Sequence, residues 1–171
     1  MMANEGVDHA FAPLRRARLS PLFTPTGPPM KETTGNIWDH LGSATICITT
    51  NGHLTRKGEA VLGRGCARQA QERFPDLPAR LGALLSEGGN HVHAIGAGLV
   101  SFPVEESPWA TPDPRLIRRS AEELLALADQ EGWTRVIVPR PGCGGGGLAW
   151  QDVRPLLADI LDDRFTVITA S

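Results

Sequence analysis

Cysteines and long apolar runs are scarce in this sequence of 171 residues. Its three cysteines, Cys47, Cys66 and Cys143, are too few and too scattered for a disulfide framework. No CxxC or mixed His/Cys spacing is present, so no metal site is expected. No apolar run reaches the about 18 residues of a membrane-spanning helix, and none follows the arginines at 15–18 as in a secretory signal. We therefore expect a protein of the reducing cytoplasm without a membrane partner.

Clustered positive charge is also missing. The chain carries 17 Lys and Arg against 19 Asp and Glu, a formal net charge of −2. Stable general binding to nucleic acid needs a basic patch, so this class of function is not expected. Hydrophobic residues make up 41% of the chain, which is enough for a core. The length fits one domain, at about 150 residues per domain.

Glycine and proline are abundant, with 19 and 14 residues respectively, which predicts many loops. Residues 1–29 hold five of the prolines and show no sustained hydrophobic period. This segment is therefore predicted to be a flexible N-terminal extension. The patterned remainder, residues 30–171, is predicted to be the folded domain.

Strand-like and helix-like segments alternate along that domain, which predicts an α/β layered fold with a largely parallel sheet. The clearest helix follows Asp113, a good N-cap, and ends before Gly132, which fits the position just past a helix. Strands are predicted at 44–50, 91–95, 99–104, 135–138 and 165–169, and helices at about 65–74, 78–85, 115–131 and 151–161.

The glycine-rich run at residues 142–147 lies between a predicted strand and a predicted helix. Its backbone N–H groups can approach an anion closely, and the N-terminus of the next helix adds a favourable dipole. A flexible linker is the alternative interpretation. The P-loop pattern fails, because Leu148 and Ala149 follow in place of Lys and Ser/Thr. A GxGxxG dinucleotide pattern matches by letter, but it stands before the last strand instead of at the first strand–helix turn.

A second glycine loop, Gly63-Arg64-Gly65, stands at the start of a predicted helix, and Asn51 directly follows the strand at 44–50. Both loops are expected at the carboxyl ends of strands, where open α/β sheets bind ligands. Together they could clasp one diphosphate, and the Asn51 amide could meet a sugar hydroxyl. Ordinary turns are the alternative interpretation of both segments.

The order and spacing of these segments resemble a macro domain, the ADP-ribose-binding module. The resemblance covers about residues 30–169 and implies a three-layer α/β/α fold with a mixed, largely parallel sheet of about six strands. Its last part is most similar to the branch with hydrolases that remove ADP-ribose from DNA or acidic side chains, and with ADP-ribose-1″-phosphate phosphatases. The segments that carry it are Gly35-Asn36-Ile37, Ile48-Thr49-Thr50-Asn51, Gly63-Arg64-Gly65-Cys66-Ala67, Pro139-Arg140-Pro141-Gly142-Cys143-Gly144 and Leu148-Ala149-Trp150.

The resemblance implies a role for each matching residue. It implies that Asn36 and Ile37 face adenine and that Asn51 meets the distal ribose. The residues implied to line the distal ribose and phosphates are Gly63, Arg64, Gly65 and Cys66. Those implied to wrap the diphosphate through backbone N–H groups are Gly142, Cys143, Gly144, Gly145, Gly146 and Gly147.

The chain departs from the family pattern at the adenine end. Many macro domains have Asp where this chain has Asn36, so weaker selection for the base is expected, unless Asp39 compensates. Many also stack adenine on an aromatic residue after the last strand, but this chain has no tyrosine and ends in Thr-Ala-Ser. Trp38 and Phe102 are the candidates to replace that residue, and a core role is the alternative for each.

A second departure concerns catalysis. One hydrolase type of this branch uses a lysine after a central strand and an aspartate in the glycine loop, and the segments 95–98 and 144–147 contain neither. Water attack at the distal ribose is then the expected mechanism. Glu59 is the candidate general base and Lys57 a candidate for stabilising negative charge, with solvated loop charges as the alternative. Cys143 is either activated by the surrounding glycines or simply packed. His91 and His93 are predicted to share one face of a strand, as a metal pair or as packed side chains.

Three hypotheses of function follow. The first is a hydrolase of an ADP-ribosyl linkage on protein, on nucleic acid or in ADP-ribose-1″-phosphate, which needs no cofactor. The second is a non-catalytic reader of ADP-ribose. The third, which the residues support least, is a nucleotide-dependent oxidoreductase with the glycine loop as its cofactor cradle.

Overall fold

The computed structural model describes residues 27–171. Most of the predicted N-terminal extension therefore lies outside the described residues, and the boundary near residue 29 stays a prediction. Within the described part, Pro29 forms an isolated β-bridge with Asp162, and the buried Met30 packs into the core.

Six strands, four α-helices and one 3₁₀ turn form the described part of the chain. The 3₁₀ turn spans Ile37–His40. The strands are β1 Lys31–Thr34, β2 Thr45–Asn51, β3 Ala94–Gly96, β4 Leu99–Glu105, β5 Val136–Pro139 and β6 Phe165–Thr169. The helices are α1 Gly65–Arg73, α2 Leu77–Gly88, α3 Pro114–Glu131 and α4 Trp150–Ala158.

The strands form a single sheet in the order β1-β6-β5-β2-β4-β3. All neighbouring pairs are parallel except β3 and β4. This confirms the mixed, largely parallel sheet of six strands. Because the first five strands in this order run the same way, their carboxyl ends meet at one edge of the sheet.

Two apolar clusters, one on each face of the sheet, make the three layers. Ile46 and Ile48 of β2 face α1 and α2, where Leu77 and Leu81 are fully buried. Cys47, between those two isoleucines, belongs to the opposite cluster with the apolar residues of α3 and α4. The alternation follows from the two-residue period of a strand covered by helices on both faces.

Local signals explain where α3 begins and ends. The Asp113 carboxylate accepts a hydrogen bond from the Arg115 N–H at 2.9 Å, and Gly132 adopts a left-handed conformation with φ 70°. Both features agree with the capping residues expected from the sequence.

The prediction of a strand at 91–95 is wrong in its first half, because β3 begins only at Ala94. His91 and His93 precede the strand and bind different partners. His91 Nδ1 lies 2.8 Å from Glu123 Oε2, and His93 Nε2 lies 2.9 Å from the Gly89 carbonyl oxygen. They are therefore not a pair on one strand face.

Candidate ligand-binding cleft

A cleft of about 1010 Å³ runs along the carboxyl edge of the sheet. The residues that line it at or just after the five parallel strand ends are, in sheet order, Gly35, Thr169, Arg140, Asn51 and Glu105. Neighbouring strands lie about 4.8 Å apart, so these five strand ends span about 19 Å. The cleft is therefore long, with one end at β1 and β6 and the other at β2 and β4.

The glycine loop forms the wall of the cleft beyond β5. Gly142 to Gly146 line the cleft, whereas Gly147 does not. The loop is closed by a hydrogen bond of 2.9 Å from the Leu148 N–H to the Gly142 carbonyl. The N–H groups of Gly144, Gly145 and Gly146 have no hydrogen-bond partner among residues 27–171. Three successive N–H groups without partners on a cleft wall can serve as donors to an anion.

Close packing explains why two of these positions are glycine. A Cβ on Gly146 would lie 2.6 Å from the Gly142 carbonyl oxygen and 2.7 Å from Pro112 Cγ. Gly142 has a φ of 72°, a backbone conformation that residues with a side chain rarely adopt. Gly144, in contrast, has nothing within 4 Å of its Cβ position.

The second glycine loop forms the facing wall. Gly63, Arg64, Gly65 and Cys66 all line the cleft, and α1 begins at Gly65. The N-terminus that borders the cleft is thus that of α1, whose first N–H groups and positive dipole end favour an anion. The sequence predicted that the helix after the glycine-rich run would supply the favourable dipole. However, α4 begins at Trp150, which is not part of the cleft wall.

Arg64 bridges the two walls. Its guanidinium donates to the Gly145 carbonyl at 3.5 Å and to the Pro108 carbonyl at 3.3 Å. It also lies 3.5 Å from Glu105 Oε1, while its own side chain is 56% exposed. These contacts are long, and a phosphate oxygen would be a stronger, charge-assisted partner for the same cation.

The β1 end of the cleft combines two buried apolar residues with polar neighbours. Asn36 Oδ1 accepts a hydrogen bond from the Trp38 N–H at 3.0 Å and so caps the 3₁₀ turn. Ile37 and Trp38 are buried and line the cleft, and Trp38 Nε1 donates to Gln69 Oε1 at 2.7 Å. Trp38 is therefore both a core residue and part of the wall.

The other residues considered for this end of the cleft are not part of its wall. Phe102 is completely buried in the core on the α3 side of the sheet, so it cannot stack on a ligand. Asp39 does not line the cleft either. Of the two aromatic candidates, only Trp38 borders the cleft.

Asn51 holds the opposite end together. Its Nδ2 donates to the Val61 carbonyl at 3.1 Å, and its Oδ1 accepts from the His53 N–H at 3.0 Å. These bonds tie the end of β2 to the segment that leads into the second glycine loop. The amide still lines the cleft, with one donor and one acceptor position left for a ligand.

Two polar residues at this end were missed by sequence reasoning. Thr50 and Glu105 line the cleft, and both are buried with a side-chain oxygen, Oγ1 and Oε2 respectively, that has no hydrogen-bond partner among residues 27–171. Burial raises the pKa of the Glu105 carboxyl, and the Arg64 guanidinium opposes that rise. The available signal was an acidic residue directly after the buried run Leu99–Val104.

The segment 95–98, where a lysine was expected in one hydrolase type, does not line the cleft. Residues 95–98 form the turn between β3 and β4, at the end of β4 remote from the cleft. The cleft end of β4 carries Glu105. The cleft therefore has a carboxylic acid, and no lysine, at the end of β4.

Lys57 and Glu59 lie outside the cleft wall. They belong to the turn closed by the Leu54–Ala60 bridge, where the Glu59 N–H donates to Thr55 Oγ1 at 3.2 Å. Both residues were expected beside the distal ribose, but the structure does not place them on the cleft wall. A catalytic role for either stays a prediction.

The cysteines show no sign of activation. Cys143 lines the cleft, but its Sγ donates to the Pro141 carbonyl at 3.4 Å, and burial raises its thiol pKa. Burial also raises the thiol pKa of Cys66, whose Sγ lies 3.7 Å from Thr49 Oγ1. Both are therefore inert thiols at neutral pH.

Two further properties concern residues 27–171 as a whole. None of their helices combines the length and apolar character needed to cross a membrane. They contain no group of three or more His, Cys, Asp or Glu side chains placed to hold a metal ion.

Comparison with known proteins identifies the fold. No protein-family model and no curated protein matches the chain. Among solved structures, the macrodomain of Mycobacterium tuberculosis DarG superimposes with a TM-score of 0.64 at 22% identity, covering 82% of this chain and 99% of that one. The macrodomain of Thermus aquaticus DarG gives 0.65 at 20% identity, covering 83% and 98%. Thermosipho africanus DarTG in complex with ADP-ribose gives 0.65 at 16% identity, covering 84% and 43%. The chain therefore has the macrodomain fold.

Proposed function

We propose that the cleft binds ADP-ribose, free or attached to a protein or nucleic acid. The observation that carries the proposal is the row of three N–H groups at Gly144, Gly145 and Gly146 that have no partner among residues 27–171, on the cleft wall that Arg64 bridges to the start of α1. Such a site suits a diphosphate at the middle of a long cleft. One of the similar structures is itself a complex with ADP-ribose.

The two ends of the cleft suit the rest of this ligand. Ile37 and Trp38 offer apolar surface for adenine at the β1 end. Asn51, Thr50 and Glu105 offer hydrogen-bonding groups for the distal ribose at the β2 and β4 end. Because N–H groups and a helix end bind the diphosphate, this anion site is compatible with a net charge of −2.

Hydrolysis of an ADP-ribosyl linkage, by water attack at the distal ribose, is the second part of the proposal. It is favoured by the buried carboxyl group of Glu105 at the ribose end of the cleft. The alternative is a non-catalytic reader, which the absence of an aspartate at 144–147 and of a lysine at the cleft end of β4 favours. The nucleotide-dependent oxidoreductase would require a preference for a nicotinamide cofactor.

Calorimetric titration with ADP-ribose, NAD and AMP tests the binding proposal. ADP-ribose should bind more tightly than either of the other two, and equal or tighter binding of NAD would contradict the proposal. Gly145→Glu places a carboxylate beside the free N–H groups and should weaken ADP-ribose binding at least tenfold. The position tolerates a Cβ, whose nearest neighbour would be Arg64 Cδ at 3.7 Å. Ser86→Glu, on the exposed surface of α2, adds the same charge outside the cleft and should bind normally.

A further inference from the structure

Glu105 is an unusual residue for the wall of a cleft. It ends β4, directly beside Asn51 in the register of β2 and β4. Only 8% of its surface is exposed, and Oε2 has no hydrogen-bond partner among residues 27–171. A buried carboxyl oxygen without a partner is costly to the fold, so its presence calls for a reason outside the folded chain itself.

The groups around Glu105 leave it with a single opposing charge. From β2 its neighbours are Thr50 and Asn51, which are uncharged. From the second glycine loop comes Arg64, 3.5 Å from Oε1. The next residue, Glu106, accepts a hydrogen bond from Asn90 Nδ2 at its Oε1. Burial is the larger influence and raises the carboxyl pKa, which makes the ionised form a stronger base than an exposed glutamate.

Among the described residues, the only other side-chain carboxylate that lines the cleft is that of Glu72. Its side chain is 64% exposed and lies 3.6 Å from Arg68. It stands next to Arg73, whose guanidinium packs over the Trp38 ring at the opposite end of the cleft. At the ribose end, Glu105 is therefore the one carboxylate available.

We propose that Glu105 is the general base of an ADP-ribosyl hydrolase. This inference depends on the proposed binding of ADP-ribose with its distal ribose at the β2 and β4 end. Glu105 accepts a proton from a water molecule whose oxygen forms a bond to the anomeric carbon. The bond from that carbon to the leaving group breaks, and its electron pair departs with the leaving group, which takes a proton from solvent. Glu105 then releases its proton to solvent, and ADP-ribose is the product.

Glu105→Gln tests this role with an isosteric change. Its ADP-ribose affinity should stay within about threefold of wild type, while turnover falls at least about 100-fold, the usual contribution of a general base. Glu106→Gln is the matched control, because the neighbouring residue lies outside the cleft wall and an amide oxygen still accepts from Asn90. The probes are ADP-ribosylated protein, an ADP-ribosylated DNA oligonucleotide and ADP-ribose-1″-phosphate, each incubated with the complete chain.

The pH profile of the wild type is the second measurement and needs no variant. The base must be ionised, so kcat/KM should rise with pH through one ionisation above the ordinary glutamate value of about 4.3. A flat acidic limb, or Glu105→Gln with wild-type turnover, would overturn the assignment. Turnover lost in Glu59→Gln but kept in Glu105→Gln would move the role to Glu59. A wild type that binds ADP-ribose and hydrolyses none of the three probes would overturn this inference alone. A wild type that does not bind ADP-ribose would overturn the proposed function as well.

Discussion

The tightest packing in the glycine loop gives a sharp test of the diphosphate site. In Gly146→Ala the new methyl group would lie 2.6 Å from the Gly142 carbonyl oxygen and 2.7 Å from Pro112 Cγ. A backbone oxygen and a proline ring cannot rotate away, so the loop has to open. Overpacking of this kind costs about 1–3 kcal/mol, and each kcal/mol lowers the Tm of a domain of this size by about 2–4 °C.

The same change should weaken ligand binding. Opening the loop displaces the N–H groups of Gly144, Gly145 and Gly146 on the cleft wall. A hydrogen bond to a charged group contributes about 1.5–3 kcal/mol, so misplacing one donor should raise the Kd for ADP-ribose at least about tenfold. Calorimetry measures the affinity and differential scanning calorimetry the Tm.

Gly144→Ala is the matched control for stability, because nothing lies within 4 Å of its Cβ position and its φ is not in the left-handed region. Its Tm should stay at or slightly above that of the wild type, since alanine restricts the unfolded chain. If Gly146→Ala keeps both the Tm and the Kd of the wild type, the packing described for this loop is wrong, and the diphosphate site with it.

Two further predictions concern the charged pair at the ribose end. Arg64→Ala removes a cation from the cleft and the opposing charge from Glu105, so ADP-ribose should bind about 10- to 100-fold more weakly. The acidic limb of kcat/KM should also move to higher pH, because Arg64 holds the Glu105 pKa down. Calorimetric titration measures the affinity and a pH profile measures the limb. Unchanged affinity or an unmoved limb would refute this prediction. Glu105→Gln should raise the Tm at pH 7 to 8. Burial raises the Glu105 pKa in the folded state, so the free energy of unfolding falls as pH rises from the unfolded to the folded pKa of this carboxyl. Glutamine does not ionise, so the variant avoids this loss of stability. The gain should vanish near pH 4, and a Tm difference independent of pH would contradict it.

Local signals in the sequence identified the four helices, five of the six strands and most of the cleft, whereas β1 was not predicted. Strand β2, helix α3 with its caps, and strand β6 have periodicity or capping residues that depend on their own neighbours only. The two glycine loops were found because their composition is unusual and because each stands between a strand and a helix. A parallel sheet predicts that the two glycine loops lie on opposite walls of one cleft. The observed order β1-β6-β5-β2-β4-β3 agrees with this prediction.

The differences between expectation and structure have a common cause. Glu59 and Lys57 are near Asn51 in sequence and were therefore expected beside the distal ribose, yet neither lines the cleft. Glu105 is distant in sequence from Asn51 and lies beside it only through the pairing of β2 with β4. Phe102 and Trp38 were equally good aromatic candidates from the sequence. The structure distinguishes them, because Phe102 packs on the α3 side of the sheet and Trp38 on the α1 side.

The sequence by itself determined the α/β class, the order of the four helices and of five strands, and the glycine-rich character of the two loops, because these depend on periodicity, caps and missing side chains within short segments. Only the tertiary structure decided which side chains share the ribose end of the cleft, and that Arg64 joins both walls there. It also decided that the Glu105 carboxyl is buried with an unpaired oxygen. Burial and long-range pairing set the pKa and the partners of that group, and neither can be read from its immediate neighbours in the chain.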